Sequence, residues 1–152
     1  MPSSRRDFIA RMLTLTGYAF GLAFSKISLA NWIASDFHRQ DIKTTLTDLF
    51  SDQTIITSNK IKLKLPRVAE NGSVVPITIT STIENIDTIY ILSEKNPVPL
   101  IAQFSLNPEL ETFIGARFKM AETCDVIVIV KAEDQCYQTR QKVKVTLGGC
   151  GG

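Results

Sequence analysis

The sequence predicts a mainly β protein: an immunoglobulin-like antiparallel β-sandwich of about seven strands that follows one N-terminal helix and precedes a flexible tail. From residue 59 onward, apolar side chains recur at every second position, which is the period of a half-buried strand. Turn signals rich in Asn, Gly and Pro separate these runs every 8–15 residues, as in all-β sandwiches. The Cys–Trp–Cys core of antibody domains is absent, so the prediction rests on the number and pattern of the strands.

The composition predicts one globular domain between a leader and a short arm. The chain has 152 residues, of which 44% are hydrophobic and 21% charged, without a repeat or a low-complexity tract. We predict a leader at residues 1–30, a domain at 31–147 with a helix at about 34–50 and a sandwich at about 59–147, and an arm at 148–152. The net charge of +2 combines +3 in the leader with −1 in the rest. A nearly neutral domain argues against nucleic acid or an anionic membrane as partner.

The leader has the order of a cleaved export signal. Arg5 and Arg6 precede an apolar stretch, residues 12–24, that is too short and too mildly hydrophobic for a transmembrane helix of about 20 residues. Ser28 and Ala30 provide the small side chains that a signal peptidase needs. We therefore predict a twin-arginine signal that is cleaved after Ala30 and export to the periplasm. The alternative is that these residues form an amphipathic helix of the domain itself.

The predicted helix at residues 34–50 has an apolar side with the spacing i, i+4, i+7 and i+8, formed by Ile42, Leu46, Leu49 and Phe50. Ser35 and Asp36 are its candidate N-caps. His38 has no second metal-ligand type at ligand spacing, which favours a solvated or capping role over metal binding or catalysis. Trp32 is interpreted as a packing anchor.

The sandwich begins with a strand in which Ile61, Leu63 and Leu65 alternate with lysines. Asn71 and Gly72 then form a strong turn signal, and a second strand follows in which apolar residues alternate with threonines at residues 75–80. The other predicted strands are residues 87–92, 101–106, 113–120, 125–131 and 137–147. The strand at residues 125–131 contains five consecutive apolar residues, which predicts a central strand buried on both faces.

Cys124 and Cys136 lie on two strands that the polar turn at residues 132–135 joins in a predicted hairpin. This register brings Cys136 beside Lys131 and Cys124 opposite Val143. The two cysteines are then much farther apart than the Cα separation of about 4.4–6.8 Å that a disulfide tolerates. We predict that they form no disulfide, and that one thiol is packed at a strand end while the other is half-exposed.

The last five residues place one cysteine between two pairs of glycines: Gly148, Gly149, Cys150, Gly151 and Gly152. Glycine has no Cβ and adds no stiffness, so the thiol can range about 10 Å from residue 147. No tail residue would activate this thiol, and the sequence has no nucleophile-elbow, phosphate-loop, zinc-protease or Cys-x-x-Cys motif. We predict a non-catalytic carrier arm without cofactor, metal ligand or catalytic residue. A stray thiol on a frayed terminus is the alternative.

This tail resembles that of the SoxY family, the sulfur carriers of the periplasmic sulfur-oxidising (Sox) system. The resemblance covers essentially the whole chain and also includes residues 94–97, 119–121 and 143–146. It implies that Cys150 is the site of covalent attachment of sulfur intermediates. Cys124 and Cys136 depart from the family, where the tail cysteine is usually alone in importance.

The family resemblance implies a sequence of partners. Thiosulfate would be joined oxidatively to the Cys150 sulfur by the c-type cytochrome SoxXA, giving a cysteine S-thiosulfonate. The metal-dependent hydrolase SoxB would then release sulfate and leave a persulfide, which the sulfur dehydrogenase SoxCD oxidises further where it exists. The sulfur donor is thiosulfate or a sulfide-derived species. A leaderless companion, SoxZ, would form a heterodimer with the domain and leave the cytoplasm with it.

Other interpretations remain beside this one. Lys60, Lys62 and Lys64, like Lys142 and Lys144, are interpreted as the coat of a solvated strand face, with attraction of anionic sulfur species as the alternative. Ubiquitin-like sulfur carriers also end in Gly-Gly, but they need ATP-dependent adenylation in the cytoplasm, and the leader argues against that. A periplasmic immunoglobulin-like interaction or assembly module with a non-carrying cysteine tail is the remaining alternative function.

Overall fold

The computed structural model describes residues 40–51, 53–107 and 111–146. Within these ranges the chain forms one helix and nine strands. They are α1 Ile42–Phe50, β1 Ile55–Thr57, β2 Ile61–Lys64, β3 Val68–Ala69, β4 Val75–Ser81, β5 Ile86–Ser93, β6 Leu100–Ser105, β7 Phe113–Phe118, β8 Cys124–Ala132 and β9 Gln135–Val145. No helix in these ranges is long and apolar enough to cross a lipid bilayer.

The strands form two sheets. The larger sheet has the order β1-β9-β8-β5-β6, with β3 also paired to β9, and the smaller has the order β2-β4-β7. The pairs β8–β9, β5–β8, β5–β6, β2–β4 and β4–β7 are all antiparallel. The predicted mainly β sandwich preceded by a helix is confirmed, and each of the seven predicted strands is present.

Two strands that the sequence did not reveal make the sandwich less purely antiparallel than predicted. β1 and β3 both pair parallel to β9, and they contain only three and two residues. Strands this short show no measurable alternation, so a pattern search misses them. They form because β9, with eleven residues, has a long edge whose backbone groups need hydrogen-bond partners.

The core between the sheets is built from the alternating side chains that the sequence placed on one face. On β4, Val75, Ile77 and Ile79 are buried and pack against the inner face of the larger sheet. Each such side chain contributes about 1.5–3 kcal/mol when fully buried. The apolar run of β8 is buried on both faces, as predicted. Its even-numbered residues belong to this core, and Ile127 and Ile129 lie on the opposite face of the sheet, in a second core.

The second core lies between the larger sheet and α1. Phe50 packs with Ile127 and Ile129, and its ring meets Tyr90 edge-on at a centroid distance of 5.0 Å. The predicted helix start at residue 34 is wrong for this helix. Gln40 and Asp41 are not helical, and the Asp41 side chain is the N-cap.

The cap has a simple physical cause. The Thr44 amide donates to Asp41 Oδ1 at 2.8 Å, which satisfies one of the amides that has no partner within the helix. The same hydrogen bond lowers the pKa of Asp41. The other candidate caps, Ser35 and Asp36, lie outside the described residues, as do His38 and Trp32.

The predicted hairpin register is confirmed, since Cys124 lies opposite Val143 and Lys131 opposite Cys136. Both cysteines are free, as predicted. The expected half-exposed thiol is wrong, because Cys136 is completely buried. Its side chain faces the helix and belongs to the second core, a covering that the local sequence pattern does not reveal.

Candidate functional site at the base of the C-terminal arm

The predicted carrier residues lie beyond the described chain, which ends at Thr146. Cys150 and the four tail glycines, Gly148, Gly149, Gly151 and Gly152, are outside the described residues, and so are Arg5, Arg6 and Ala30 of the leader. Thr146 is four residues before Cys150. The described part of the candidate site is therefore the end of β9 and its surroundings, which precede the predicted arm and are called here the base of the arm.

The base of the arm is held between two strands. On one side, the register places Val143 opposite Cys124 of β8. On the other, β3 runs parallel to the end of β9, with Ala69 beside Val145. The Thr146 amide continues this ladder and donates to Ala69 O at 3.0 Å. The chain is thus fixed by hydrogen bonds up to its last described residue.

Thr123 fixes the end of β9 with its side chain. The Val145 amide donates to Thr123 Oγ1 at 2.9 Å, and the same hydroxyl donates to Val145 O at 3.3 Å. Thr123 immediately precedes β8, so this pair of hydrogen bonds extends the β8–β9 ladder where regular pairing has ended. A hydroxyl can do this because it is both donor and acceptor.

Gly72 brings a neighbouring loop against the end of β9. The Met120 amide donates to Gly72 O at 2.7 Å. A Cβ at residue 72 would lie 2.5 Å from Met120 O and 2.9 Å from Val145 Cγ1. Only glycine permits so close an approach of two backbones, and the predicted turn at Asn71 and Gly72 thereby supports the arm.

Asn96 connects two loops at the same end of the sandwich. Its Nδ2 donates to Lys119 O at 2.7 Å, and its Oδ1 accepts from the Ala121 amide at 2.9 Å. These loops contain two of the segments on which the family resemblance was based, residues 94–97 and 119–121. The structure brings them together, and through Met120 and Gly72 they contact the end of β9.

The other two thiols are enclosed. Cys124 is 3% exposed, and its Sγ lies 3.2 Å from Ser93 Oγ. Cys136 is 0% exposed, and its Sγ donates to Gln53 Oε1 at 2.8 Å. Burial raises the pKa of Cys136, while the charge of Lys131 opposes the shift. Thiolate chemistry is therefore disfavoured at Cys136, both by access and by ionisation.

A basic groove lies beside the base of the arm, with a volume of about 870 Å³. Four of its eight lining residues are cations and none is a carboxylate; the lining is Leu63, Lys64, Leu65, Arg67, Thr123, Gln141, Lys142 and Lys144. Lys60, Lys62, Lys64, Lys142 and Lys144 are exposed, as expected for a solvated coat. The sequence did not reveal the contribution of Arg67, because no local pattern links it to β9.

Within the described ranges no three His, Cys, Asp or Glu residues are grouped as metal ligands would be.

Comparison with known proteins gives a consistent result. A family model described as "Sulfur oxidation protein SoxY" matches residues 46–150. Among solved structures, the sulfur carrier protein SoxY from Chlorobium limicola f thiosulfatophilum is similar, with 31% sequence identity and a TM-score of 0.64 over 70% of this chain and 97% of that one. No curated protein sequence matches the chain significantly.

A second solved structure, concerned with T cell specificity and activation by the bacterial superantigen toxic shock syndrome toxin-1, shares 15% identity. Its TM-score is 0.41 over 57% of this chain and 99% of that one. Similarity at this level carries no information about function.

Proposed function

The chain belongs to the SoxY family of sulfur oxidation proteins, and on this premise we propose that Cys150 is the residue that carries the sulfur. The family match extends to residue 150, so it includes this cysteine. The observation that carries the proposal is the fixed base of the arm. The end of β9 pairs with β8 as far as Val143 and with β3 at Lys144 and Val145, and the Thr146 amide donates to Ala69 O four residues before the thiol. A rigid base and a short glycine arm together suit a thiol that is handed to other proteins.

The first proposed step forms one S–S bond. The Cys150 thiol and the outer sulfur of thiosulfate are joined to give a cysteine S-thiosulfonate, with the loss of one proton and two electrons. A c-type cytochrome, SoxXA, would accept these electrons. In the second step, water attacks the terminal sulfonate sulfur, and the bond between this sulfur and its neighbour breaks. Sulfate leaves and a persulfide remains on Cys150, and the hydrolase SoxB would catalyse this step.

The arm supplies reach rather than catalysis. Four residues beyond Thr146 span at most about 14 Å, so the thiol can enter a partner's pocket while the sandwich stays outside. Gly148, Gly149, Gly151 and Gly152 have no side chains that would block a narrow entrance. Tethering also raises the local concentration of the cargo to about the millimolar range for a docked partner. The chemistry then belongs to the partners, and the chain acts as a non-catalytic carrier.

We place the protein in the periplasm, as the leader predicts. The paired arginines, the short apolar stretch and Ala30 are consistent with twin-arginine export and cleavage. That route exports folded proteins, so a leaderless partner such as SoxZ could leave the cytoplasm bound to the domain. Where SoxCD exists, the persulfide on Cys150 would be its substrate.

The proposal is tested by the intact mass of the protein from thiosulfate-grown cells, measured with and without a reducing agent and followed by peptide mapping. We expect sulfur adducts that a reductant removes and that map to the Cys150 peptide. Cys150→Ser should abolish both the adducts and thiosulfate oxidation, whereas the control Cys124→Ala should retain both. An unmodified Cys150, with normal oxidation in Cys150→Ser cells, would overturn the proposal in favour of an interaction module.

A further inference from the structure

The basic groove is a gap in the edge of β9. β1 covers this edge as far as Gln138, and β3 covers it from Lys144 onward. Between them, in the described chain, no strand pairs with residues 139–143 on this side. The segment between β2 and β3 passes the gap instead, and the Gln141 side chain donates to Leu65 O at 3.1 Å. The groove therefore lies between the uncovered part of β9 and the segment that joins β2 to β3.

The cations around the groove outnumber the carboxylates near them. The two ion pairs of the described residues use Lys95 and Arg140, so none involves Lys64, Arg67, Lys142 or Lys144. Asp125 lies opposite Lys142 in the β8–β9 register, but its ion pair is with Arg140. Four like charges around one groove repel each other. An anion that enters the groove relieves this repulsion and meets apolar contacts from Leu63 and Leu65 at the same place.

The arm begins at the edge of this groove. Lys142, Lys144 and Thr146 follow one another at every second position, so their side chains lie on the same side of the extended chain. Lys142 is about 13–14 Å before Thr146 along the strand, and Cys150 can reach about 14 Å beyond it. A tight reversal brings residues three apart in sequence to within about 7 Å of each other, so an arm that folds back along β9 places Cys150 beside Lys144, the groove cation of β9 that is nearest to Thr146.

We propose that the basic groove is an intramolecular dock for the arm when Cys150 carries an anionic sulfur oxyanion group such as a thiosulfonate. This inference rests on the proposed carrier function. The unmodified thiol is largely uncharged at neutral pH, so it brings no negative charge to the groove, whereas the thiosulfonate is an anion. The short tether gives the cargo an effective concentration of about the millimolar range, so even a weak site would be substantially occupied. Docking would thus depend on loading and would hold the cargo at the protein between visits to partners.

The test uses the ¹⁵N-labelled full chain, isolated with any subunit that copurifies, and two chemically installed groups on Cys150. One is S-sulfonate, which ends in the same anionic –SO₃⁻ group as the thiosulfonate, and the other is neutral S-methylthio. Because Cys124 and Cys136 are buried, the reagents should modify Cys150, which peptide mapping checks. We expect the amide resonances of Thr123, Lys142 and Lys144 to shift with S-sulfonate and not with S-methylthio. Raising the ionic strength from about 0.01 M to 1 M should reverse the shifts, since the screening length falls from about 30 Å to 3 Å.

Two matched variants test the charges. Lys142→Ala combined with Lys144→Ala should reduce the docked fraction about tenfold. The control, Lys60→Ala combined with Lys62→Ala, removes the same charge from exposed lysines outside the groove and should leave docking unchanged. Equal shifts for both modifications, no shifts, or equal behaviour of the two double variants would overturn the proposal.

A mixed sample separates docking within one molecule from docking between molecules. If unlabelled S-sulfonated protein shifts the resonances of labelled unmodified protein, the groove binds a partner's acidic group and the intramolecular proposal fails. Because the anion is installed chemically, none of these outcomes depends on whether thiosulfate is the natural cargo. The mass measurement on cell-derived protein remains an independent test of the carrier function.

Discussion

Replacing Gly72 by alanine should loosen the base of the arm and destabilise the domain. The added Cβ would lie 2.5 Å from the carbonyl oxygen of Met120 and 2.9 Å from Val145 Cγ1. The first of these neighbours is backbone, which cannot move aside by changing a rotamer. Gly72 does not have a positive φ, so the effect of the substitution is steric and not a matter of backbone conformation.

The magnitude follows from two costs and one gain. Overpacking a close contact costs about 1–3 kcal/mol, and weakening the 2.7 Å hydrogen bond from Met120 N to Gly72 O costs about 1 kcal/mol more. Alanine stiffens the unfolded chain, which returns about 0.4–1 kcal/mol. The net loss in the free energy of unfolding is about 1–3 kcal/mol, a large share of the roughly 5–15 kcal/mol of a typical domain.

Urea unfolding followed by circular dichroism measures this loss. With a slope of about 2 kcal/mol per molar urea, the midpoint should fall by about 1 M. Gly115→Ala is the matched control, because a Cβ there meets only Phe113 Cε1 at 3.8 Å, and it should be neutral or stabilising by up to about 1 kcal/mol. If Gly72→Ala unfolds within about 0.5 kcal/mol of the wild type, the close approach of this loop to β9 is wrong.

Four further outcomes are expected. Asp41→Ala should lower the melting temperature more at pH 7 than at pH 3. The lowered pKa of Asp41 means that the stabilisation from its charge is present above the ordinary Asp pKa and is lost as the pH falls through the folded value. Asp41→Asn keeps a hydrogen-bond acceptor at the cap and should retain most of the cap at both pH values. Ile129 is fully buried in β8, so Ile129→Ala should lower the free energy of unfolding in urea by about 2–5 kcal/mol. The Phe113 side chain is 70% exposed, so the control Phe113→Ser should change this free energy by less than about 0.5 kcal/mol. A neutral thiol reagent should modify Cys150 at least about 100-fold faster than Cys136 in the native protein, and similar rates would contradict the burial of Cys136. Burial raises the pKa of Cys136, so the stability that its thiol contributes should be complete below the ordinary thiol pKa and be lost as the pH rises through the folded value. This pH dependence should be absent from Cys136→Ala when the free energy of unfolding is measured between pH 7 and 10.

The parts of the fold that the sequence predicted are those with local causes. The alternation at residues 75–80 identifies a strand and its buried face without reference to any other segment. The turn at residues 132–135 fixes the β8–β9 register, and this correctly placed Cys124 opposite Val143, because side chains change face at every residue and a slip would expose an apolar row.

The parts that the sequence did not reveal depend on distant segments. Cys136 is covered by the second core around α1, and nothing near residue 136 indicates that covering. The N-cap at Asp41 was missed because apolar spacing locates the side of a helix better than its first residue. Arg67 joins Lys144 in the groove because β3 pairs with β9, and a strand of two residues has no period that a pattern can detect.

The parallel pairing of β3 with the end of β9 also decides how the domain bears a mechanical load. When a partner holds the arm and the two proteins separate, the pull acts along the axis of β9. The hydrogen bonds from Lys144 N to Arg67 O and from Thr146 N to Ala69 O cross that axis, as do those to β8, so they resist together in shear and are not peeled apart one at a time. If the arm carries sulfur as proposed, tension can withdraw this cargo from a partner's pocket while β9 stays in its sheet.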